Sequence, residues 1–411
     1  MDGFLIEALA FLLRWLHVVA AIAWIGESFY FVALDRGLKP AVGRAQGLHG
    51  ESWSVHGGGF YLKQKFMPAP ALLPAELHWS KWKSYTTWLS GFALLTLTYL
   101  WSPQIHLIDP KVAPLSSPQA VWLLLGLLLL GWLLYDLLCR VLGSHERLLG
   151  LAVAVLVAGV CLLTTSLYSG RAAFLLTGAV LGTWMSANVF FVIIPGQKRI
   201  VAALRRGDSA DPLDGLRGKQ RSVHNTYLTL PVVFAMLSTH YAPAFAHPHN
   251  GWLLILFLAA AALIRLFFVY WHGGRHAWGA LSAGLVVLLL ALAWMAPTWR
   301  APAAPLVRLD AGSTDLVGVA TEQAVGAGAV ALAQVTAVLH ARCGACHAAQ
   351  PTLLPSAPNG SVFDTAADIE RQAERIHQQS VLLQIMPPGN LTGMTEAERA
   401  MVGRWYAGRA K

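Results

Sequence analysis

The sequence predicts an all-α, polytopic membrane bundle of eight helices followed by a small C-terminal helical domain. Three observations carry that prediction. The composition is that of a membrane chain, with 56% hydrophobic and 12% charged residues in 411. Eight apolar segments approach the ~20 residues that a helix needs to cross a ~30 Å hydrocarbon core. Lys and Arg then fall in alternate loops between those segments.

The eight segments run near 5–34, 85–101, 119–139, 149–168, 172–195, 226–246, 252–271 and 277–296. The second is short, which suits a tilted or extended span. Loops 35–83, 140–148, 197–224 and 272–276 carry seven, two, seven and one Lys or Arg. Loops 102–118, 169–171 and 247–251 carry one, one and none. A bias of seventeen to two places the N-terminus outside and, after eight crossings, the C-terminus outside as well. No cleavable leader is expected, because Asp2 and Glu7 replace a basic n-region and the first apolar run is too long. Cys139 and Cys161 sit in apolar runs and read as small core residues. The net charge of +9 resides in the membrane part, since residues 297–411 hold nine basic and nine acidic residues. That placement marks topology and excludes a nucleic-acid surface.

Several spans carry groups that hydrocarbon rejects. Segment one holds Arg14, His17 and Glu27 beside Trp24. At 100° per residue His17 and Trp24 nearly coincide, with Arg14 and Glu27 on their flanks. Such groups are costly at membrane depth unless paired or hydrated, so they are expected to face the bundle interior. Segment five carries Trp184, Ser186 and Asn188. Segment six is preceded by Arg221 and His224, begins near Asn225, contains Pro231 as an expected kink, and ends near His240. Segment seven contains Arg265 and ends at His272, and His276 opens segment eight.

Loop 35–83 is the second concentration of polar chemistry. It carries Glu51, Trp53, His56, three glycines from Gly57 to Gly59, Lys63, and then His78-Trp79-Ser80-Lys81-Trp82. Its aromatics suggest a segment folded back against the mouth of the bundle. The glycines allow a close approach to a ligand or a sharp turn, and Trp79 and Trp82 suit an interfacial belt.

Residues 297–325 read as a Pro- and Ala-containing linker, and 326–411 as a separate domain. A helix near 326–342 runs into Cys343-Gly344-Ala345-Cys346-His347. Two thiols at this spacing followed at once by His are the attachment signature of a c-type haem, with His347 as an iron ligand. No second Cys pair completes a zinc site. A helix is expected over 365–383. Met386 precedes two prolines at the place of a sixth iron ligand, and Met394 and Met401 are its rivals. Thr395 to Glu398 opens a last helix with an acidic first turn. This is the layout of a class I cytochrome c, and its haem belongs outside the cytoplasmic membrane.

At this point the chain resembles the membrane-bound, cytochrome-c-fused urate oxidases (urate hydroxylases) of bacterial purine catabolism. The resemblance rests on Arg14-Trp15-Leu16-His17, Glu51-x-Trp53-x-x-His56-Gly57-Gly58-Gly59, Leu77-His78-Trp79-x-Lys81-Trp82, Ser186-Ala187-Asn188-Val189-Phe190-Phe191 and Arg221-Ser222-x-His224-Asn225-x-Tyr227-x-Thr229-Leu230-Pro231. Thr239 departs from the Asn expected between Ser238 and His240. The resemblance implies oxidation of urate to 5-hydroxyisourate, with water as oxygen source. It further implies that electrons leave through the haem toward a soluble cytochrome c or terminal oxidase. The expected place is the bacterial inner membrane, with both termini periplasmic.

Urate is a flat anion, so its site calls for a cation, an aromatic wall and a tuned base. Candidate catalytic residues are Glu51, His56, Glu27 and Asn188. Candidate substrate-binding residues are Arg14, Trp53, Lys63, His78, Asn225 and Arg265. Glu51 or His56 is placed as base, and Lys63 or Arg265 as anion partner. A cytoplasmic site would lie a whole bilayer from the c-type haem. Two solutions stay open: a deep site near the outer face, or a b-type haem on His17 and His240. If there is no second haem, those histidines bind substrate. Rival classes are a quinol–cytochrome c oxidoreductase, an electron-transfer subunit, and a transport protein similar to copper permeases. Membrane lipid is an expected partner, and self-association is left open.

Overall fold

The computed structural model describes residues 3–40, 47–296, 330–354 and 356–409. The expected linker, 297–325, lies outside them. Contacts divide the chain into two units, residues 1–291 with 388–391 and residues 292–387 with 392–411.

The first unit is built from long helices. The helix α1 covers Gly3–Gly37. Next comes α2, Trp82–Leu95, which runs on into a π-turn at Thr96–Leu100, and then the single turn α3, Pro103–His106. Helix α4, Ser117–Val141, starts at a capping box in which Ser116 and Gln119 satisfy each other's backbone donors. It is followed by α5, Glu146–Leu167, and α6, Gly170–Ala187. A π-turn at Asn188–Ile193 joins α6 to α7, Ile194–Arg205. Helix α8, Pro212–Leu237, is capped by the Asp211 carboxylate, which accepts from Leu213 N–H, and contains Pro231 without ending there. The short α9, Ala242–Phe245, precedes α10, Asn250–Trp271, and α11, Trp278–Met295.

Six helical stretches among the described residues are long and apolar enough to cross a membrane. They lie in α1, α4, α5, α6–α7, α10 and α11. The other two expected spans fall on α2 and α8. Helix α2 has only 14 residues before its π-turn, and α8 begins with a polar stretch from Asp214 to Arg221. The centre of the unit is α6, because 61% of its apolar window is buried against 6% for α1. Small residues at Ala172, Ala173 and Gly178 let neighbours approach α6 closely.

The all-α expectation needs one correction. Loop 35–83 contains an antiparallel hairpin, β1 (Leu48–His56) paired with β2 (Gly59–Phe66). The physical reason is a period-2 alternation, Glu51-Ser52-Trp53-Ser54-Val55 opposite Phe60-Tyr61-Leu62-Lys63-Gln64, around a two-residue turn. Gly57 and Gly58 both have positive φ, +58° and +81°, as a type I′ hairpin turn requires. A Cβ at either would meet nothing within 4 Å, so conformation and not space selects glycine there.

The second unit contains α12, Leu332–His347, α13, Ala366–Arg371, α14, Ala373–His377, and α15, Glu396–Arg409. The helix expected over 365–383 is thus broken at Gln372 and ends in a π-turn at Gln378–Leu382. Val335, Leu339, Ile369, Ile376, Val402 and Trp405 form its core.

Candidate functional site

Three helices bring a polar cluster into the middle of the first unit. Helix α4 supplies Tyr135 and Asp136, with Arg140 one turn later. Helix α6 supplies Trp184 and, at its π-turn, Asn188. Helix α8 supplies Arg221, His224 and Asn225, whose i, i+3, i+4 spacing puts them on one face. Asn188 and Tyr135 have no exposed surface, and Arg221 and Asp136 keep 3% and 6%. A π-turn at such a place is a recurrent mark of a functional segment.

The hydrogen bonds of this cluster orient its side chains. The Arg221 guanidinium is a donor only. It donates to Asp136 Oδ1 at 2.7 Å and to Asn188 Oδ1 at 3.4 Å. Asn188 Nδ2 therefore faces the other way, donating to Asn225 Oδ1 at 2.9 Å and to Tyr135 Oη at 3.0 Å. The Tyr135 hydroxyl and His224 Nδ1 are hydrogen-bonded at 2.8 Å, and Cys139 Sγ lies 3.7 Å from the same nitrogen. Tyr135 stacks on Trp184 with ring centroids 4.9 Å apart, and Arg221 lies 5.2 Å over the Tyr135 ring. Asp136 also takes Arg140 at 2.6 Å. Almost every polar group here is satisfied; Arg221 Nε and Trp184 Nε1 have no protein partner.

A second locus lies where α10 meets α1 and α8. Arg265 is 2% exposed. Its Nε donates to the Thr226 carbonyl at 3.2 Å, and the guanidinium sits 3.8 Å over the Phe29 ring. One terminal nitrogen has no partner. Among the described residues no carboxylate pairs with it. Nearby, Arg36 lies 5.8 Å over the Tyr270 ring.

The polar groups of α1 turn mostly toward α2. Glu27 pairs with Lys83 at 3.0 Å and accepts from the Ser80 hydroxyl. His17 Nδ1 lies 2.9 Å from the Thr87 carbonyl, which makes Nδ1 the donor and leaves Nε2 uncommitted. A Cβ on Gly91 would come within 2.7 Å of the His17 ring, so this approach requires glycine. Arg14 is exposed, contrary to the expectation that it faces inward.

The remaining sequence candidates are scattered. Glu51 is buried at the root of the hairpin, with Gln64 Nε2 at 3.5 Å, while His56 is exposed at its turn. Five residues of strand put roughly 17 Å between them, so they do not form one site. Lys63 donates to Ser54 and lies 5.0 Å over the Tyr30 ring. Trp53 and His78 are exposed. His240 is exposed in a 3₁₀ turn after α8, and no hydrogen bond or ring contact joins it to His17 among the described residues. Asn188 and Asn225 are the two candidates the fold brings into contact. Tyr135, Asp136 and Arg221 were not candidates. Asp136, a lone carboxylate in an apolar span, was the available signal.

In the second unit, Cys343 is buried and Cys346 half-buried, and both are free thiols. Burial pushes the Cys343 thiol up to about 12 and raises that of Cys346. His347 Nδ1 lies 2.7 Å from the Ser361 carbonyl, which commits that nitrogen as donor and leaves Nε2 free. The ring stacks on Phe363 at 4.6 Å. The half-buried Met386 has its carbonyl tied to Arg399 at 2.8 Å. Its rival Met394 is 2% exposed and part of the core.

The urate oxidase N-terminal family model matches residues 3–296. The chain belongs to the urate oxidase N-terminal family. The match covers the polar cluster, the Arg265 locus and the hairpin together. No curated protein and no solved structure matches the chain.

Proposed function

We propose that this protein oxidises urate to 5-hydroxyisourate in a membrane and passes the electrons to a c-type haem on its own C-terminal domain. The observation that carries this reading is one chain holding both a urate oxidase family region and a Cys-x-x-Cys-His helix end. The reaction consumes urate and water and yields 5-hydroxyisourate, two protons and two electrons. Eight crossings with both termini periplasmic, inferred from the Lys and Arg bias, would deliver residue 343 to the side where such haem is attached. From there the electrons would pass to a soluble cytochrome c or a terminal oxidase of the respiratory chain.

The residues of the second unit fit the haem. Cys343 and Cys346 are unpaired thiols on the last turn of α12, and the hydrogen bond at Nδ1 orients His347 with Nε2 available. Met386 is the proposed sixth ligand. Once bound, that group would accept electrons one at a time. A b-type haem on His17 and His240 remains a separate proposal. His17 offers an Nε2 with no hydrogen bond to the described residues, and no step is routed through such a group.

For urate we favour Arg265 over Lys63 as anion partner. Its guanidinium is buried, has no counter-ion among the described residues and lies against the Phe29 ring. A purine monoanion supplies both the missing charge and a flat face. The Asn188–Asn225 cluster is the proposed polar neighbour. Glu51 keeps the proposed role of base.

The test is anaerobic addition of urate to the purified full-length protein. Reduced c-type bands are expected, with 5-hydroxyisourate formed at half the number of electrons stored. Reduction by a quinol with no response to urate would replace this reading with that of a quinol–cytochrome c oxidoreductase. Pyridine haemochrome spectra decide the b-type haem, since c-type absorbance alone would exclude it.

A further inference from the structure

The β1–β2 hairpin is built inside out for a sheet in water. Side chains directly opposite in an antiparallel pair share a face. The register Trp53 opposite Leu62 and Val55 opposite Phe60 therefore gathers four large apolar residues on one side. All four are open, at 62% for Trp53, 67% for Val55, 78% for Phe60 and 43% for Leu62. The other side carries Ser52, Ser54, Tyr61, Lys63 and Lys65. That polar side meets α1, where Lys63 lies over Tyr30 and Lys65 pairs with Asp35 at 2.8 Å. An antiparallel sheet normally turns its apolar face to the core and its polar face to water. Here Lys63 and Lys65 of the polar side are held by α1, while the four apolar residues are left outward toward the turn, with Glu51 and Gln64 on their side at the root of the hairpin.

What covers that face follows from what surrounds α1. This helix is long and apolar enough to cross a bilayer, and 6% of its apolar window is buried. Leu12, Trp15, Val19, Ile22 and Phe31 along it are exposed. A face turned away from α1 at its C-terminal end thus continues a surface suited to lipid. The loop that contains the hairpin is also basic, with seven Lys or Arg in 35–83 against Asp35, Glu51 and Glu76. Aromatic residues flanked by lysines match the border between acyl chains and anionic headgroups.

We propose that the β1–β2 hairpin is an interfacial membrane anchor, its Trp53–Val55–Phe60–Leu62 face seated at the headgroup–acyl boundary of the bilayer that α1 crosses. The anchor fixes the depth and tilt of α1 from one end. It does not depend on the identity of the substrate.

The experiment uses the full-length protein in nanodiscs containing anionic lipid. Nitroxides are placed at Val55→Cys, at Phe60→Cys and, as a polar-face control, at Ser54→Cys. At 55 and 60 collision with dissolved oxygen is expected to exceed that with a water-soluble nickel chelate several-fold, at a depth of about 5–10 Å; the control should not show this ratio. Free access of nickel at 55 and 60 overturns the proposal. Shielding from both reagents also overturns it, assigning the face to a second copy where dipolar coupling between labels appears and to the protein's own interior where it does not. A measurement without substitutions guards against misfolded variants. A photoactivatable diazirine acyl lipid should label peptides spanning 53–62 of the native chain, and labelling confined to the long helices would refute the anchor.

Discussion

Two arginines at nearly equal burial behave as opposites. Arg221, 3% exposed, is answered by Asp136, by Asn188 and by the Tyr135 ring. Arg265, 2% exposed, has one backbone carbonyl and one aromatic face but no carboxylate among the described residues, and each arginine keeps one nitrogen without a partner there. Burying a charge is costly unless it is paired, so the first arrangement explains itself as architecture. The second does not, and it is completed most simply by an anion that arrives from outside. The contrast separates what holds the bundle together from what the bundle holds.

The contrast breaks or sharpens under substitution. Asp136→Asn should have the largest effect, because it strands the Arg221 charge. A loss of about 3–5 kcal/mol is expected from breaking a buried pair, read as a large fall in melting temperature of the purified protein. Replacing the pair together, with Asp136→Leu and Arg221→Met, should recover much of that loss. Arg265→Met should do the reverse. Stability is expected to hold or rise, while the urate concentration for half-maximal haem reduction rises roughly tenfold to a hundredfold, the value of a charged hydrogen bond of ~1.5–3 kcal/mol. If Arg265→Met unfolds the protein as Asp136→Asn does, Arg265 is structural and the anion site is lost as an explanation.

Tyr135→Phe probes the satisfied cluster more gently. It leaves Asn188 Nδ2 and His224 Nδ1 each short of one partner, at a cost of about 1–3 kcal/mol. It also removes the hydroxyl bonded to His224 Nδ1, a change that nitrogen-15 spectra of labelled histidine would register.

The smallest effect is expected in the second unit. The Thr395 N–H and the Arg342 guanidinium hold the Glu398 carboxyl below its ordinary 4.5. A depressed folded pKa gives stability that is present above the unfolded value and is lost as pH falls through the folded one. Acid should therefore weaken this unit below about pH 4.5. Glu398→Gln should flatten that dependence and cost up to about 1 kcal/mol of cap energy at neutral pH, measured by thermal melts of the full-length protein.

Legibility followed the range of the interactions. The long helices were readable because apolar length and period are local properties, and the expected spans fall on helices to within a few residues except at 172–195, whose helix runs on to Arg205, and near α8. There the helix begins fourteen residues before the expected Thr226, because Pro212 and the Asp211 cap start it in a polar stretch. The last helix was readable from Thr395 and Glu398, which close a capping box. The hairpin was missed because its aromatics were counted and its alternation was not.

The cluster was readable only in part. Asn188 and Asn225 stood out as polar residues in apolar spans, but their contact spans 37 positions and that of Tyr135 with His224 spans 89. Sequence alone determined which stretches are helical, which loops are basic, and where a Cys-x-x-Cys-His sequence ends a helix. Each of these depends on residues within a turn or two of one another, or on simple counts. Tertiary structure decided that Arg221 has a carboxylate and Arg265 none among the described residues, that Tyr135 meets His224, and that the hairpin turns its apolar residues outward. Those depend on which distant groups share a small, water-poor volume, where every donor must find an acceptor and the order of the chain does not say which.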